Sequence, residues 1–267
     1  MLGRTILLHA EGRGHGDAIQ FSRYVPMVAA RGAKVIVECQ PGLVGLLGRL
    51  PGVAATFARP LALPPFELHC PLNSLPLAFK TTVGTIPGLV PYLAPLPERA
   101  DAWRKRLGFK PPGVNLRVGL AWAGTKTGKD FRSRSLAIFA PLAAIPGIEI
   151  HSLQVGPEAL ETPPTGLRII DHSAELKDFE ETAALLPNLD VVITVDTAVA
   201  HLAGALAREV WVLLPKVSDF RWLTERSDSP WYPTMRLFRQ ETAARGWAAV
   251  VAAIADALRE RAGKRLP

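Results

Sequence analysis

The sequence predicts an α/β fold in which helices cover both faces of parallel sheets. Three segments carry this prediction, because each joins a short apolar run, a Gly-rich or polar turn, a helical pattern and a second apolar run. Apolar strands that alternate with helices form βαβ units, and these build parallel sheets. The 267 residues are 48% hydrophobic and 21% charged, which suits about two packed domains and excludes a disordered chain.

The strands and helices follow one another in a clear order. The first segment has a strand at 5–10, a turn at 11–17, a helical pattern at 18–31 and a strand at 34–38. The second has a strand at 118–122, a helix near 136–144 and a strand at 149–153. The third has a strand at 190–195, a helix that ends at Ala207 and a strand at 210–214. Each pair of strands is therefore predicted to lie parallel.

A Pro/Gly cluster at residues 108–113 is the best candidate for a linker between two domains. It predicts a first domain at residues 1–110 and a second at 114–245, each of which opens with a strand and a loop. From residue 247 to 258, apolar residues recur at helical spacing and predict one amphipathic helix. The apolar stripe of that helix must dock on another part of the fold.

The composition favours some partners over others. Lys and Arg number 31 against 24 Asp and Glu, a formal charge of +7, and basic residues cluster at 126–134 and 259–265. Since aromatic residues do not interleave with these clusters, we expect no nucleic-acid partner but a phosphorylated small molecule or an acidic surface. Cys39 and Cys70 lack CxxC spacing and are expected to be small buried residues.

The first candidate site is the loop that precedes the first helix. Gly14 and Gly16 allow a ligand to approach the backbone closely, but their spacing is not the GxGxxG of dinucleotide sites. Asp17 has two interpretations. It caps the helix, or it faces the crevice at the carboxyl ends of the strands and takes a proton from a hydroxyl group. His15 either assists Asp17 or is a flexible surface residue.

The second candidate site follows the strand at 190–195. A helix begins near Asp196 and Thr197, and the free N–H groups of its first turn suit a phosphate. Thr197 and His201 lie on one face of that helix, while Ala198 allows close backbone approach. The alternative is a packed helix capped by Asp196, with His201 merely buried.

A third candidate site follows the strand at 118–122. Trp122 and Gly124 end that strand, and the basic residues beyond them could neutralise a departing diphosphate, unless the loop is simply solvated. These basic residues are Lys126, Arg132 and Arg134. Gln154, after the next strand, is a lesser candidate for contacts to a base or ribose. The sequence lacks HExxH, GxSxG and Asp-x-Asp, so neither a metal site nor a cofactor is predicted.

Together these segments resemble glycosyltransferase family nine, the heptosyltransferase-like group, in the version found behind tetratricopeptide repeats in bacterial proteins. The likeness extends over nearly the whole chain, and its most specific blocks are residues 195–205 and 229–240. It also includes the Gly16-Asp17 pair and residues 119–124.

This resemblance implies a GT-B fold, in which two Rossmann-like domains face each other across a cleft. The acceptor would bind the first domain and the nucleotide-sugar donor the second. Asp17 would be the base, and Thr197, Ala198 and His201 would hold the donor phosphates. Residues 246–267 would form a helix that crosses back onto the first domain. The repeats themselves are not in this sequence.

The resulting hypothesis is inverting, metal-independent glycosyl transfer to a saccharide, a lipid-linked glycan or a protein. Two other classes stay open: a nucleotide-sugar-binding or scaffold domain without turnover, and, less favoured, a nicotinamide-dependent oxidoreductase. The apolar run at 5–8 is short for a signal peptide, so a cytoplasmic location is expected. The basic tail leaves contact with an anionic inner-membrane surface as a second option.

Overall fold

The computed structural model describes residues 2–12, 14–124, 132–242 and 246–263. Its described strands form two parallel sheets, one from the first part of the chain and one from the second. The first sheet has the order β3-β2-β1-β4. Its strands are β1 (Thr5–His9), β2 (Lys34–Cys39), β3 (Val53–Ala58) and β4 (Leu68–Pro71).

The second sheet has the order β10-β9-β8-β5-β6-β7. Its central strands β5, β8 and β9 are buried along their whole length, as expected when helices cover both faces. The strands are β5 (Leu116–Ala121), β6 (Ile148–Ser152), β7 (Ile169–Ile170), β8 (Val191–Val195), β9 (Val210–Leu214) and β10 (Met235–Arg239).

The helices are mostly short. The α-helices are α1 (His15–Phe21), α2 (Val25–Ala29), α3 (Val44–Gly48), α4 (Leu75–Ala78), α5 (Pro97–Leu107), α6 (Phe179–Leu185), α7 (Ala198–Ala205) and α8 (Ala248–Gly263). The helix predicted over 18–31 is divided, since a 3₁₀ turn at Ser22–Tyr24 separates α1 from α2 just before Pro26. Leu136–Ala144 is a 3₁₀ segment with Pro141 inside it.

The two sheets are joined through a helical layer between them. α1, which follows β1, packs directly on α7, which follows β8. One apolar core therefore includes Ile19 and Tyr24 from the first part together with Ala200 and Leu202 from the second. This layer brings the first turns of α1 and α7 together.

The terminal helix corrects one prediction. α8 packs on the second sheet, where Val251, Ile254 and Leu258 share a core with β5, β8 and the Leu136–Ala144 segment. The side chain of Asn115 also donates to the carbonyl of Ala262 at 2.9 Å. The expectation that this helix returns to the first domain is therefore wrong, because its apolar stripe is covered by its own half of the chain.

The linker is held against the second sheet. Arg117 of β5 donates to the carbonyl oxygens of Leu107, Gly108 and Phe109, and its Nε contacts Glu149 at 3.1 Å. Across the part of the chain that the structure describes, no helix has both the length and the apolar character to cross a bilayer.

Candidate active site

The loop before α1 is fixed from two neighbouring strands. Gln40, after β2, donates from Nε2 to the carbonyl of Gly14 at 3.2 Å. Arg59, after β3, donates to the carbonyl of Gly12 at 3.3 Å. Gly14 is the N-cap residue of α1 and makes no side-chain cap. The loop therefore presents the first turn of α1 at the carboxyl end of the first sheet.

Asp17 projects from this first turn toward the second half of the chain. Its Oδ1 accepts a hydrogen bond from Nη2 of Arg221 at 2.8 Å, and its side chain is 44% exposed. Because Gly14 is the N-cap residue, the capping interpretation of Asp17 is wrong. A partly exposed carboxylate thus meets a guanidinium at the junction of the two halves.

The two residues before Asp17 make contacts across the junction. The ring of His15 lies 4.9 Å from that of Phe179, and burial lowers the pKa of His15. A Cβ atom added at Gly16 would lie 2.8 Å from Cδ2 of His201 and 3.7 Å from Cα of Ala198. A glycine at position 16 is therefore what lets α1 approach α7 so closely.

The first turn of α7 lacks a capping side chain. Thr197 is the N-cap residue, but its hydroxyl contacts Thr194 Oγ1 at 3.0 Å instead of a helix amide. Asp196 does not cap the helix either. It is buried, and burial raises the pKa of its carboxyl, opposed by the charges of Arg221 and Arg132. The side chain of the N-cap residue therefore accepts no hydrogen bond from the N–H groups of the first turn, so it does not offset the partial positive charge of the helix N-terminus.

His201 does not fit the predicted contact to phosphates. It is 1% exposed, and both ring nitrogens have partners within the protein. Nδ1 lies 3.0 Å from the hydroxyl of Tyr232 and Nε2 lies 3.2 Å from Nη1 of Arg221. The ring also stacks on Trp222 at 5.4 Å. Since α1 covers this part of α7, the imidazole lies inside the junction.

Gln154 also has a role inside the protein. Its Oε1 accepts hydrogen bonds from the backbone amides of Trp122 and Ala123 at 3.0 and 2.9 Å, and its Nε2 donates to Val155. The residue is 4% exposed. The predicted contact to a base or ribose therefore does not fit this side chain, which instead holds the chain where β5 ends.

The other residues after β5 lie near α7. Trp122 is buried, and a Cβ atom added at Gly124 would lie 3.5 Å from Cγ2 of Thr197. The guanidinium of Arg134 lies 4.4 Å from the ring centre of Trp247, just before α8. Lys126 lies outside the described residues.

The positive charge of Arg132 acts on Asp196 and His201 at the junction. Burial is the main reason why the pKa of His201 is well below its ordinary value, and the positive charges of Arg221, Arg23 and Arg132 lower it further. The structure therefore brings Asp17, Thr197, Ala198 and Arg132 to one region.

Sequence reasoning missed Arg221 and Tyr232. Arg221 lies in the loop after β9, at the same edge as Asp196, and also contacts Asp219 at 2.8 Å. The rule that ligands bind at the carboxyl ends of parallel strands could have found it. Tyr232 lies within the 229–240 block of the resemblance, but nothing in the spacing links it to His201. Among the residues that the structure describes, no three His, Cys, Asp or Glu side chains are arranged to hold a metal ion.

Comparison with known proteins finds similarity in sequence and in structure. No family model matches the chain. Protein FlbA of Caulobacter vibrioides is 27% identical over 285 residues, which cover 97% of this chain and 47% of that protein. The chain thus spans about half the length of this curated relative.

Solved structures with a similar fold include three glycosyltransferases. A family 9 glycosyl transferase from Veillonella parvula DSM 2008 has a TM-score of 0.65 at 9% identity and covers 93% of this chain and 89% of its own. The ADP-heptose LPS heptosyltransferase II of E. coli has a TM-score of 0.58 at 12% identity, with coverages of 96% and 99%. E. coli WaaC, solved with ADP-2-deoxy-2-fluoro heptose, has a TM-score of 0.57 at 11% identity, with coverages of 98% and 100%. The predicted GT-B class of α/β fold is confirmed.

Proposed function

We propose that the chain is a glycosyltransferase that moves a sugar from a nucleoside diphosphate donor to an acceptor hydroxyl. One observation carries the proposal: Asp17 of the first half lies 2.8 Å from Arg221 of the second, beside the first turn of α7. A carboxylate and a cation thus meet where the carboxyl ends of both sheets come together. WaaC, of similar fold, was solved with an ADP-sugar analogue, which supports a nucleotide sugar as the donor class.

The donor diphosphate would lie at the first turn of α7. The amides after Thr197 have no side chain capping them from the N-cap position, and a helix N-terminus favours negative charge. The positive charge of Arg132 acts on Asp196, which directly precedes Thr197, and Arg221 lies at the edge of the same region. We infer that these groups stabilise the negative charge that gathers on the leaving diphosphate.

The reaction would then proceed by direct displacement. Arg221 holds Oδ1 of Asp17, so Oδ2 would accept the proton of the acceptor hydroxyl. The acceptor oxygen forms a bond to the anomeric carbon from the face opposite the diphosphate. The bond from that carbon to the diphosphate oxygen breaks, and its electron pair leaves with the nucleoside diphosphate. Such a reaction inverts the anomeric centre and uses no metal.

A second candidate, nucleotide-sugar binding without turnover, is favoured by one feature of the same geometry. The proposed base already forms an ion pair with Arg221, and His201 is enclosed. In this case the chain would serve a longer protein as a binding module, next to tetratricopeptide repeats or another partner region. The acceptor class stays open among saccharides, lipid-linked glycans and proteins.

The substitution Asp17→Asn tests the proposal. Donor consumption, followed as release of nucleoside diphosphate, should fall by about 10²–10⁴-fold, the usual contribution of a general base. Calorimetry should show unchanged nucleotide binding. Asp101→Asn is the matched control, because Asp101 is an exposed carboxylate paired with Arg104 at 3.0 Å. Full activity of Asp17→Asn would remove Asp17 from the mechanism. Nucleotide binding by the unaltered protein without consumption of any donor would favour the binding module.

A further inference from the structure

Arg221 is held in three directions by groups from both halves of the chain. Its guanidinium contacts Asp17 Oδ1 at 2.8 Å, Asp219 Oδ1 at 2.8 Å and His201 Nε2 at 3.2 Å. Its side chain is only 11% exposed. The guanidinium of Arg221 is therefore held beside Asp17 by two other partners: Asp219, which is two residues away in the chain, and the buried His201.

The contact between Arg221 and His201 shows which ring nitrogen of the imidazole carries the hydrogen in this structure. A guanidinium has only hydrogen-bond donors, so Nε2 of His201 must accept from Arg221. A neutral imidazole with an accepting Nε2 carries its hydrogen on Nδ1. Nδ1 therefore donates to the hydroxyl of Tyr232 at 3.0 Å. The opposite tautomer would point a hydrogen at the guanidinium and leave Arg221 without an acceptor on this side.

The hydroxyl of Tyr232 is itself fixed from the first half. It lies 3.5 Å from the hydroxyl of Tyr92, which donates to the carbonyl of Ile19 at 2.9 Å. Arg23 donates to the carbonyl of Trp231 at 2.7 Å and stacks on the Tyr232 ring at 4.6 Å. The series of contacts thus begins at Ile19 in α1 and returns through Arg221 to Asp17, which also lies in α1.

The Tyr232 ring also lacks room to move. A Cβ atom added at Gly204 of α7 would lie 2.5 Å from its Cδ1. The ring is therefore pressed against the backbone of α7, one turn along from His201. This contact limits the positions that the tyrosine ring can take relative to the imidazole.

We propose that Tyr232 is a positioning residue, which keeps His201 in the Nδ1–H tautomer and so directs Arg221 onto Asp17. The catalytic consequence rests on the proposed glycosyl transfer, but the tautomer does not. Tyr232 touches neither Asp17 nor the region proposed for the donor, so it acts only through His201 and Arg221.

The experiment compares Tyr232→Phe with Tyr24→Phe in protein labelled with ¹⁵N-histidine. Tyr24 is a matched control, because its buried side chain also has one hydroxyl contact, to Thr81 Oγ1 at 2.9 Å. Long-range ¹H–¹⁵N correlation spectra report which ring nitrogen is protonated, and His201→Asn identifies the signals of His201.

We expect His201 to be a single Nδ1–H tautomer in the unaltered protein and in Tyr24→Phe, and to shift toward Nε2–H in Tyr232→Phe. Donor turnover of Tyr232→Phe should show a kcat reduced by up to about 10²-fold with little change in KM for the donor, as when a reacting group is misplaced by about 1 Å. A folded Tyr232→Phe with the tautomer of the unaltered protein would overturn the inference, as would an Nε2–H tautomer in the unaltered protein. If the tautomer shifts as expected but no variant consumes a donor, the proposed function fails and the positioning role of Tyr232 stands.

Discussion

Arg23 offers a sharp test of what holds the two halves together. Its side chain is buried, and it donates to the carbonyl oxygens of Gln20 at 2.9 Å, Pro87 at 3.0 Å and Trp231 at 2.7 Å. Its guanidinium also stacks on the ring of Tyr92 at 4.7 Å. The first two carbonyls belong to the first half and the third to the second half. The substitution Arg23→Met keeps an unbranched apolar stem but shortens the side chain and removes all of its hydrogen-bond donors.

The size of the effect can be estimated from these contacts. A hydrogen bond from a charged group contributes about 1.5–3 kcal/mol, and a desolvated cation–π contact about 2 kcal/mol. Burying a cation costs several kcal/mol, so the sum of these contributions overstates the loss. We expect Arg23→Met to lower the free energy of unfolding by about 3–5 kcal/mol, because three carbonyl groups lose a donor at about 1–3 kcal/mol each while the cost of burying the cation disappears.

Urea denaturation followed by circular dichroism measures this loss directly. The matched control is Arg31→Met, since the guanidinium of Arg31 lies 4.1 Å from the ring centre of Phe79 at an exposed position. That single exposed contact should contribute no more than about 1 kcal/mol. If the free energy of unfolding falls by less than about 1 kcal/mol in Arg23→Met, as it should in the control, the reasoning about carbonyl contacts across the junction is refuted.

Two further predictions concern the junction and the response to pH. Gly16→Ala should lower the free energy of unfolding by about 1–3 kcal/mol, because the added methyl group would meet the buried ring of His201. The control Gly84→Ala, whose methyl group would lie in open space, should change the free energy of unfolding by less than about 0.5 kcal/mol. Equal urea midpoints for the two variants would contradict this expectation. Burial, and then the charge of His151, lower the pKa of His172 to about 4, from 6.5 when unfolded. Between these values the unfolded state binds more protons, so stability should fall as pH drops from about 6.5 to 4. His172→Gln should make that fall less steep in urea titrations, and an unchanged slope would show that His172 does not contribute.

Most of the fold could be predicted from the sequence, because the strand signals are strong and local. The runs at 190–195 and 210–214 became β8 and β9 with a change of no more than one residue at each end. The docking of α8 could not be found this way. Its apolar stripe predicts that it packs on something, and only tertiary contacts decide that Val251 and Ile254 meet the second sheet.

The site was predicted less completely. Asp17, Thr197 and Ala198 lie where the βα turns predict, because strand ends and helix starts determine their positions. The sequence assigns His201 to a ligand because it shares a helix face with Thr197 and lies in the 195–205 block of the resemblance, and it assigns Gln154 because it follows a strand end. Their actual partners, Tyr232 and Trp122, are 31 and 32 residues away along the chain, so no local pattern could reveal them.

The shared apolar core between α1 and α7 has a consequence for how this protein folds. Ile19 of α1 and Leu202 of α7 are both fully buried in the single apolar core that the two halves share. Neither half can lose its structure without exposing apolar surface of the other, and such exposure is costly. We therefore expect denaturation as one cooperative transition instead of two, although the chain contains two separate sheets.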